Sequence, residues 1–262
     1  MRSETDADTD DVPAVELPFA TISEQDGVRF LHLDTPWVQG AMLIREPRVI
    51  VLEYVQRMMA WMLWRPSAEV AAGHAVQLGL GAASITRFCH SVLRMPRITA
   101  VELNPAVIAA CRHGFKLPAN GARLSVVEAD AAQWVADAAH HATAQVLNVD
   151  LYDHDAAAPV LDSDGFYAQC RNVLADGGVM SVNLFGRASS FAASAARIAA
   201  AFGHDQVWSL TPTREGNTVV VATRGVAVPG REELLSRATV IEREYGLAAR
   251  KWLKMVRPYK AL

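Results

Sequence analysis

The 262-residue chain has little of what several classes of protein require. Its three cysteines are widely spaced and include no Cys-x-x-Cys pair, which argues against a disulfide framework and a zinc site. The adjacent His140 and His141 have no third ligand near them in sequence and are interpreted as surface residues. The formal net charge of −3 lacks the basic excess of a non-specific nucleic-acid binder. We therefore expect neither a metal nor a nucleic-acid partner.

Long apolar runs are missing too. The most apolar stretch, Met58 to Trp64, is far shorter than a membrane span and is flanked by arginines, which predicts a buried helix end. The first residues are acidic where a secretory signal peptide is basic and then apolar. Residues 1–16 carry six acids and one base, which predicts a disordered tail. With the sparse cysteines, these features predict a cytoplasmic protein without a membrane partner.

What the chain does contain is an alternation of short apolar strands with helices. The strands are almost continuously apolar, as in a parallel sheet that is covered on both faces. The pattern predicts an α/β fold with a Rossmann-like, doubly wound, mostly parallel sheet. The predicted strands are Ala75–Leu78, Ile98–Leu103, Leu124–Glu128, Ala144–Leu151 and Gly178–Leu184, and the helices between them are Ser84–Leu93, Pro105–His113, Ala131–Ala139 and Asp164–Leu174.

Flanking segments extend this core on both sides. Residues 17–65 are predicted to form a small β-hairpin and helix region, with a turn at Asp26-Gly27 and a helix over Pro47–Trp64. Residues 66–230 are expected to form the Rossmann-like nucleotide-binding domain, which ends in an antiparallel strand pair. Residues 231–262 are predicted to form C-terminal helices.

A glycine-rich loop follows the first strand of the predicted sheet. Gly79 and Gly81 allow a tight turn and a close approach to a ligand, and the following helix N-terminus presents N–H groups. Glu102 lies 21 residues beyond Gly81, at the end of the second strand, where an acid accepts hydrogen bonds from ribose hydroxyls. Ser84 stands where a dinucleotide loop has its third glycine, which disfavours NAD. The alternative is a structural turn followed by a solvated glutamate.

Asp130 ends the third strand and is followed by Ala131. Its carboxylate suits the amino group of adenine, and it also suits the N-cap of the next helix; the two roles are compatible. A glycine loop, a ribose acid and an adenine acid on successive strands describe an adenosine site without phosphates. Because these carboxylates would also favour a positively charged sulfonium, the pattern predicts a ligand of the S-adenosylmethionine type.

Three acids and a histidine follow the fourth strand. Ligands of open α/β sheets bind outside the carboxyl ends of the strands, and carboxylates gathered there raise one another's pKa and attract cations. A carboxylate beside an amine nucleophile takes its proton as attack begins. We therefore predict that Asp150 and Asp153 are catalytic. Asp155 and His154 are explained as well by exposed loop positions.

The order of these motifs resembles the spermidine synthase (polyamine aminopropyltransferase) family over most of the chain. The loop from Gly79 to Ala83 is similar to that family's glycine loop, and Gln39 is similar to a glutamine of its N-terminal hairpins. Val101-Glu102-Leu103-Asn104 resembles its ribose-binding strand end, Glu128-Ala129-Asp130-Ala131 its adenine-binding turn, and Asp150-Leu151-Tyr152-Asp153 its Asp-x-x-Asp.

The resemblance implies transfer of an aminopropyl group from decarboxylated S-adenosylmethionine to a small, putrescine-like diamine, without a metal. It implies that Asp150 is the base and that Asp153 holds the substrate amine. It also implies a homodimer or a larger homo-oligomer. The implied cofactor-binding residues are Gln39, Gly79, Gly81, Glu102, Asp130 and Ala131.

The chain departs from the family at three places. The family's loop ends in Asp-Gly, but this chain has Ala82-Ala83 and so lacks a carboxylate that favours the amine end of the decarboxylated nucleotide. The family's Tyr-His-Glu before the core is replaced by a stretch in which Glu53 and Tyr54 substitute in part. His154 stands where the family has proline. Two alternatives stay open: an S-adenosylmethionine-dependent methyltransferase of unknown acceptor, and a non-catalytic nucleotide-binding relative.

Overall fold

The computed structural model describes residues 17–151, 161–185 and 188–260. An eight-stranded sheet carries helices on both faces, and a small three-stranded sheet precedes it. The strands are β1 Ala20–Gln25, β2 Val28–Leu33, β3 Gly40–Leu43, β4 His74–Leu78, β5 Arg97–Glu102, β6 Leu124–Glu128, β7 Ala144–Val149, β8 Leu174–Phe185, β9 Val207–Ser209, β10 Asn217–Thr223 and β11 Arg257–Pro258. The helices are α1 Glu53–Met58, α2 Ser84–Ser91, α3 Pro105–Gly114, α4 Ala131–Ala136, α5 Asp164–Val173, α6 Ala188–Phe202, α7 Arg231–Tyr245 and α8 Ala249–Met255, and the longest 3₁₀ segment is Met59–Trp64.

The large sheet has the strand order β11-β9-β10-β8-β7-β4-β5-β6. From β8 to β6 the neighbouring strands are parallel, whereas β10, β9 and β11 are added antiparallel. The chain winds outward from β4 to β6 and then returns to place β7 on the other side of β4. Open α/β sheets bind ligands at such a reversal, outside the carboxyl ends of the strands. The predicted fold class is confirmed, and the edge at which such sheets bind ligands lies where β4 and β7 end.

The central parallel strands β4, β5 and β7 are buried on both faces because successive residues enter different apolar clusters. In β4, Ala75 packs into the cluster that contains α1 and the Met59–Trp64 segment, while Val76 packs into the cluster on the opposite face. This two-sided burial explains why the strands are nearly continuous in apolar residues. Within the described residues, none of the helices is long and apolar enough to cross a membrane.

The predicted helix over Pro47–Trp64 is wrong in its extent. The α-helix begins only at Glu53, because the preceding residues form turns and the cap residue Leu52 has an extended backbone. From Met59 the chain continues as a 3₁₀ segment rather than as an α-helix. The apolar run itself is buried as predicted, with Met58 to Trp64 at most 3% exposed.

Candidate active site

The glycine loop and Asp150 meet at the ends of β4 and β7. The N–H group of Gly79 donates to the carbonyl of Val101 at 2.9 Å, and that of Asp150 donates to the carbonyl of Leu78 at 2.9 Å. Gly79 has a φ of +81°, and a Cβ at this position would collide with the carbonyl oxygen of Asp150. Glycine is therefore required here both by the backbone conformation and by the close approach of the two strand ends.

The loop is held from below by buried side chains. The Cys111 thiol donates to the carbonyl of Gly81 at 3.0 Å. The buried Arg87 guanidinium donates to the carbonyl of Ala82 and, at 2.9 Å, to that of Phe115. Burial lowers the pKa of Arg87 to about 10, so its side chain remains charged at neutral pH. These contacts fix the loop from the side of α2 and α3.

The small N-terminal sheet closes over the same loop. A Cβ on Gly40, the first residue of β3, would lie 2.5 Å from the Cβ of Ala82, and one on Gly81 would lie 3.2 Å from the carbonyl oxygen of Gln39. The predicted residue Gln39 is thus brought against the predicted loop residue Gly81.

Glu102 connects the loop to the end of β5. Its two carboxylate oxygens accept hydrogen bonds from the backbone N–H groups of Leu80, at 2.8 Å, and Asn104, at 2.9 Å. Burial raises the pKa of Glu102 above its ordinary value, and the backbone bonds act in the opposite direction. A carboxylate has about four acceptor positions, so ionised Glu102 retains capacity to accept from a ligand hydroxyl.

Asp130 caps the helix that follows β6. Its Oδ1 accepts from the N–H groups of Ala132 at 2.6 Å and Gln133 at 3.1 Å, which is the N-cap role allowed by the sequence. Ala131 is the buried first residue of α4. Asp130 lies two residues beyond Glu128, the register partner of Glu102 on the neighbouring strand. The two acids predicted to bind adenosine therefore lie at the ends of adjacent strands.

Asp150 is the acid at the end of β7. Its Oδ1 accepts from the Asn183 amide at 2.9 Å, and its Oδ2 accepts from the Tyr54 hydroxyl at 3.4 Å. Enclosure by the protein raises the pKa of Asp150 from 3.8 to about 6, although both hydrogen bonds act to lower it. A carboxyl group with this pKa is mostly ionised at neutral pH and remains a competent proton acceptor.

A cleft with about 270 Å³ of empty volume, open to solvent, lies between the glycine loop, the N-terminal sheet, α1 and Asp150. Four predicted cofactor-binding residues are not among its lining: Gly79, Glu102, Asp130 and Ala131. Among its described lining residues, Asp150 is the one charged side chain, and Tyr54 from α1 faces it. Asp153, like His154 and Asp155, lies outside the described residues. The cleft is lined by Gln39, Gly40, Tyr54, Val55, Gln77, Leu80, Gly81, Ala82, Ser84, Ile85 and Asp150.

Sequence reasoning singles out Tyr54 but misses the two asparagines that support Asp150. Asn183 on β8 donates to the carboxylate and accepts from the Asn217 amide of β10 at 3.2 Å. The available signal was an asparagine within the buried part of a predicted strand. His140 stacks on Trp134 with ring centroids 3.8 Å apart. The described part of the chain contains no cluster of three His, Cys, Asp or Glu side chains suited to a metal.

Comparisons with known proteins add an independent result. The spermine/spermidine synthase domain matches residues 85–222. A polyamine aminopropyltransferase of Neisseria meningitidis serogroup A is 31% identical over 232 residues, which are 88% of this chain and 86% of the relative. A probable spermidine synthase from Corynebacterium glutamicum aligns with a TM-score of 0.69 at 17% identity, covering 85% of this chain and 83% of its own. Human methyltransferase-like protein 13, solved in complex with SAH, aligns with a TM-score of 0.66 at 21% identity, covering 76% of this chain and 93% of its own. These two structural likenesses concern the fold.

Proposed function

The chain belongs to the spermine/spermidine synthase family and is a transferase, and from this premise we propose that it moves an aminopropyl group from decarboxylated S-adenosylmethionine to a small, putrescine-like diamine. The observation that carries the proposal is the placement of Asp150. This carboxylate lies in a cleft beside the glycine loop, is oriented by Asn183 and Tyr54, and has a pKa raised to about 6.

The nucleotide is held by the ends of three neighbouring strands. Glu102 accepts hydrogen bonds from the ribose hydroxyls through the acceptor positions that its backbone donors leave open. Asp130 caps α4 with Oδ1, and its Oδ2 accepts from the adenine amino group next to Ala131. Gly79 and Gly81 let the backbone approach the ligand closely. The placement of these groups supports a ligand of the S-adenosylmethionine type.

The reaction is a displacement at carbon. A nitrogen of the diamine attacks the carbon beside the sulfonium, the new C–N bond forms as the C–S bond breaks, and methylthioadenosine leaves as a neutral thioether. Asp150 accepts the proton released from the attacking nitrogen. Gln39 closes the cleft over the nucleotide, and Asp153 binds the amine. The protein thus contributes positioning and stabilisation of positive charge.

Methyl transfer from intact S-adenosylmethionine is the second candidate, and Ala82 is the observation that favours it. The side chain at this position packs against Gly40, so the loop offers the cleft no carboxylate there. A ligand that keeps its own carboxylate is therefore rejected less strongly than by a loop that carries an aspartate.

The test measures binding of both nucleotides by calorimetry, and turnover with putrescine by release of methylthioadenosine. We expect tighter binding of the decarboxylated form together with turnover. Preference for intact S-adenosylmethionine would favour methyl transfer, and binding without turnover would favour a non-catalytic relative. Ala82→Asp should increase the preference for the decarboxylated form, whereas Ala82→Asn, which has the same shape without the charge, should not.

A further inference from the structure

A row of polar side chains crosses the buried middle of the large sheet. Gln77 on β4, Asn148 on β7 and Ser181 on β8 are register neighbours, so their side chains share one face about 4.8 Å apart. They are 4%, 1% and 0% exposed. Within the described residues, Gln77 Oε1, both amide atoms of Asn148 and Ser181 Oγ have no hydrogen-bond partner. We call these three residues the polar row.

The polar row is exceptional in a sheet of this kind. Strands covered on both faces are normally apolar, and most buried polar atoms in folded proteins are hydrogen-bonded. Each unpartnered buried atom carries the full cost of its desolvation. Four such atoms on three adjacent strands therefore indicate a bound molecule that hydrogen-bonds to them.

We propose that the polar row binds ordered water and that this water supports the glycine loop from below. A water molecule offers two donors and two acceptors, which matches a mixture of carbonyl and hydroxyl oxygens with one amide N–H₂ group. An ammonium group would satisfy the oxygens but not the Asn148 amide donor. Along β7 the next carboxylate is that of Asp150, two residues beyond Asn148 and about 6.6 Å away, which is too far to pair with an ammonium group in the row. Burial of an unpaired ammonium is therefore strongly disfavoured.

Gln77 connects the polar row to the site. Its Nε2 donates to the carbonyl of Gly79 at 2.7 Å, and its side chain lines the cleft. Water bound to Oε1 fixes the other end of the same amide, so both ends of the Gln77 side chain are held. Asn148 then acts as a positioning residue. It binds the water that orients Gln77, and Gln77 supports the glycine loop through its hydrogen bond to Gly79. The water site does not depend on the proposed reaction; its effect on nucleotide affinity does.

The test compares Asn148→Leu with the parent by thermal unfolding and by calorimetry with S-adenosylmethionine and its decarboxylated form. A row without water predicts a higher Tm, since the change removes two unpartnered polar atoms and keeps the branched side-chain shape with the same number of heavy atoms. A hydrated row predicts a lower Tm, since Gln77 and Ser181 lose the water that satisfies them. We also expect nucleotide affinity to fall about three- to tenfold, as for the loss of one hydrogen bond.

Three further variants sharpen the result. Asn148→Ser keeps a donor and an acceptor and leaves room for more water, so it should restore affinity to within about twofold. Ser181→Ala repeats the Tm comparison if Asn148→Leu fails to fold. Thr223→Val removes a buried hydroxyl that donates to Gln206 at 2.6 Å, away from the cleft, and should lower Tm without changing affinity.

A higher Tm for both Asn148→Leu and Ser181→Ala would overturn the water site. A lower Tm with unchanged affinity would overturn the role in supporting the loop. If the parent binds neither nucleotide, the proposed function fails, while the Tm comparison still decides whether the polar row holds water.

Discussion

Replacement of Asp150 by asparagine should stabilise the protein while it removes catalysis. The carboxylate accepts hydrogen bonds from Asn183 at 2.9 Å and from Tyr54 at 3.4 Å. Asparagine has nearly the same shape, keeps the first bond through its oxygen, and can offer its N–H₂ group to the Tyr54 oxygen. The substitution therefore removes a charge from an enclosed site without leaving a cavity or an unpaired partner.

The magnitude follows from the pKa. A rise in the pKa of Asp150 from 3.8 to about 6 corresponds to about 3 kcal/mol against folding once the group is ionised. The pKa of Asp150 is higher in the folded than in the unfolded protein. Its contribution to folding stability is therefore complete below about pH 4, where the group is protonated, and is lost as the pH rises through 6. At pH 8 Asp150→Asn should thus be up to about 3 kcal/mol more stable than the parent, and at pH 4, close to the unfolded pKa, the difference should fall below about 1 kcal/mol.

Urea unfolding at pH 4, 6 and 8 measures the free energies of unfolding, and initial rates over the same range measure catalysis. The parent kcat/KM should fall below about pH 6 as the base becomes protonated, and Asp150→Asn should lose about 10²- to 10⁴-fold in kcat. Asp26→Asn, in an exposed turn with a φ of +51° that asparagine tolerates, is the control and should change neither quantity. Full activity of Asp150→Asn would refute its role as the base, and equal stabilities at pH 8 would refute the burial cost.

Three other variants test the rest of the site. Gly79→Ala should abolish nucleotide binding by calorimetry, because its Cβ collides with backbone, whereas Gly121→Ala, which meets open space, should bind normally. Glu102→Gln should weaken nucleotide binding about 10- to 100-fold, as expected for hydrogen bonds to a charged group, whereas Glu128→Gln on the adjacent strand should have little effect. Tyr54→Phe should move the acidic limb of the kcat/KM profile to higher pH, because its hydroxyl lowers the pKa of the Asp150 carboxyl; an unmoved limb would contradict that contact.

The fold was largely predictable because its strongest signal is local. The parallel strands stand out as short, largely apolar runs, so β6 has the bounds that the sequence predicts, Leu124–Glu128. Elements that depend on contacts between residues distant in sequence were less predictable. β11 has two residues and exists through its pairing with β9. β8 begins at Leu174 rather than at the predicted Gly178, because the strand continues through Gly177, whose φ is +76°.

The candidate site likewise contains residues that local sequence predicts and residues whose place depends on the strand order. Gly79 and Asp150 were predictable because each directly follows an apolar strand, and the carboxyl ends of parallel strands share one edge of the sheet. The supporting residues were not, because their roles depend on which strands are neighbours. Asn183 lies 33 residues from Asp150 and 34 from Asn217, and the order β7-β8-β10 is what brings the three side chains together.

The N-terminal sheet is part of the site rather than an attachment to it. Gly40 must lack a side chain because a Cβ there would lie 2.5 Å from the Cβ and 2.6 Å from the backbone nitrogen of Ala82, so the first residue of β3 and the glycine loop constrain each other. Gln39 and Tyr54, which both precede the large sheet, complete the cleft around Asp150. A Rossmann-like sheet alone provides the strand ends that suit a nucleotide. The enclosure that raises the pKa of the acid includes the segment before that sheet, so a change at Gly40 should affect the chemistry as well as nucleotide binding.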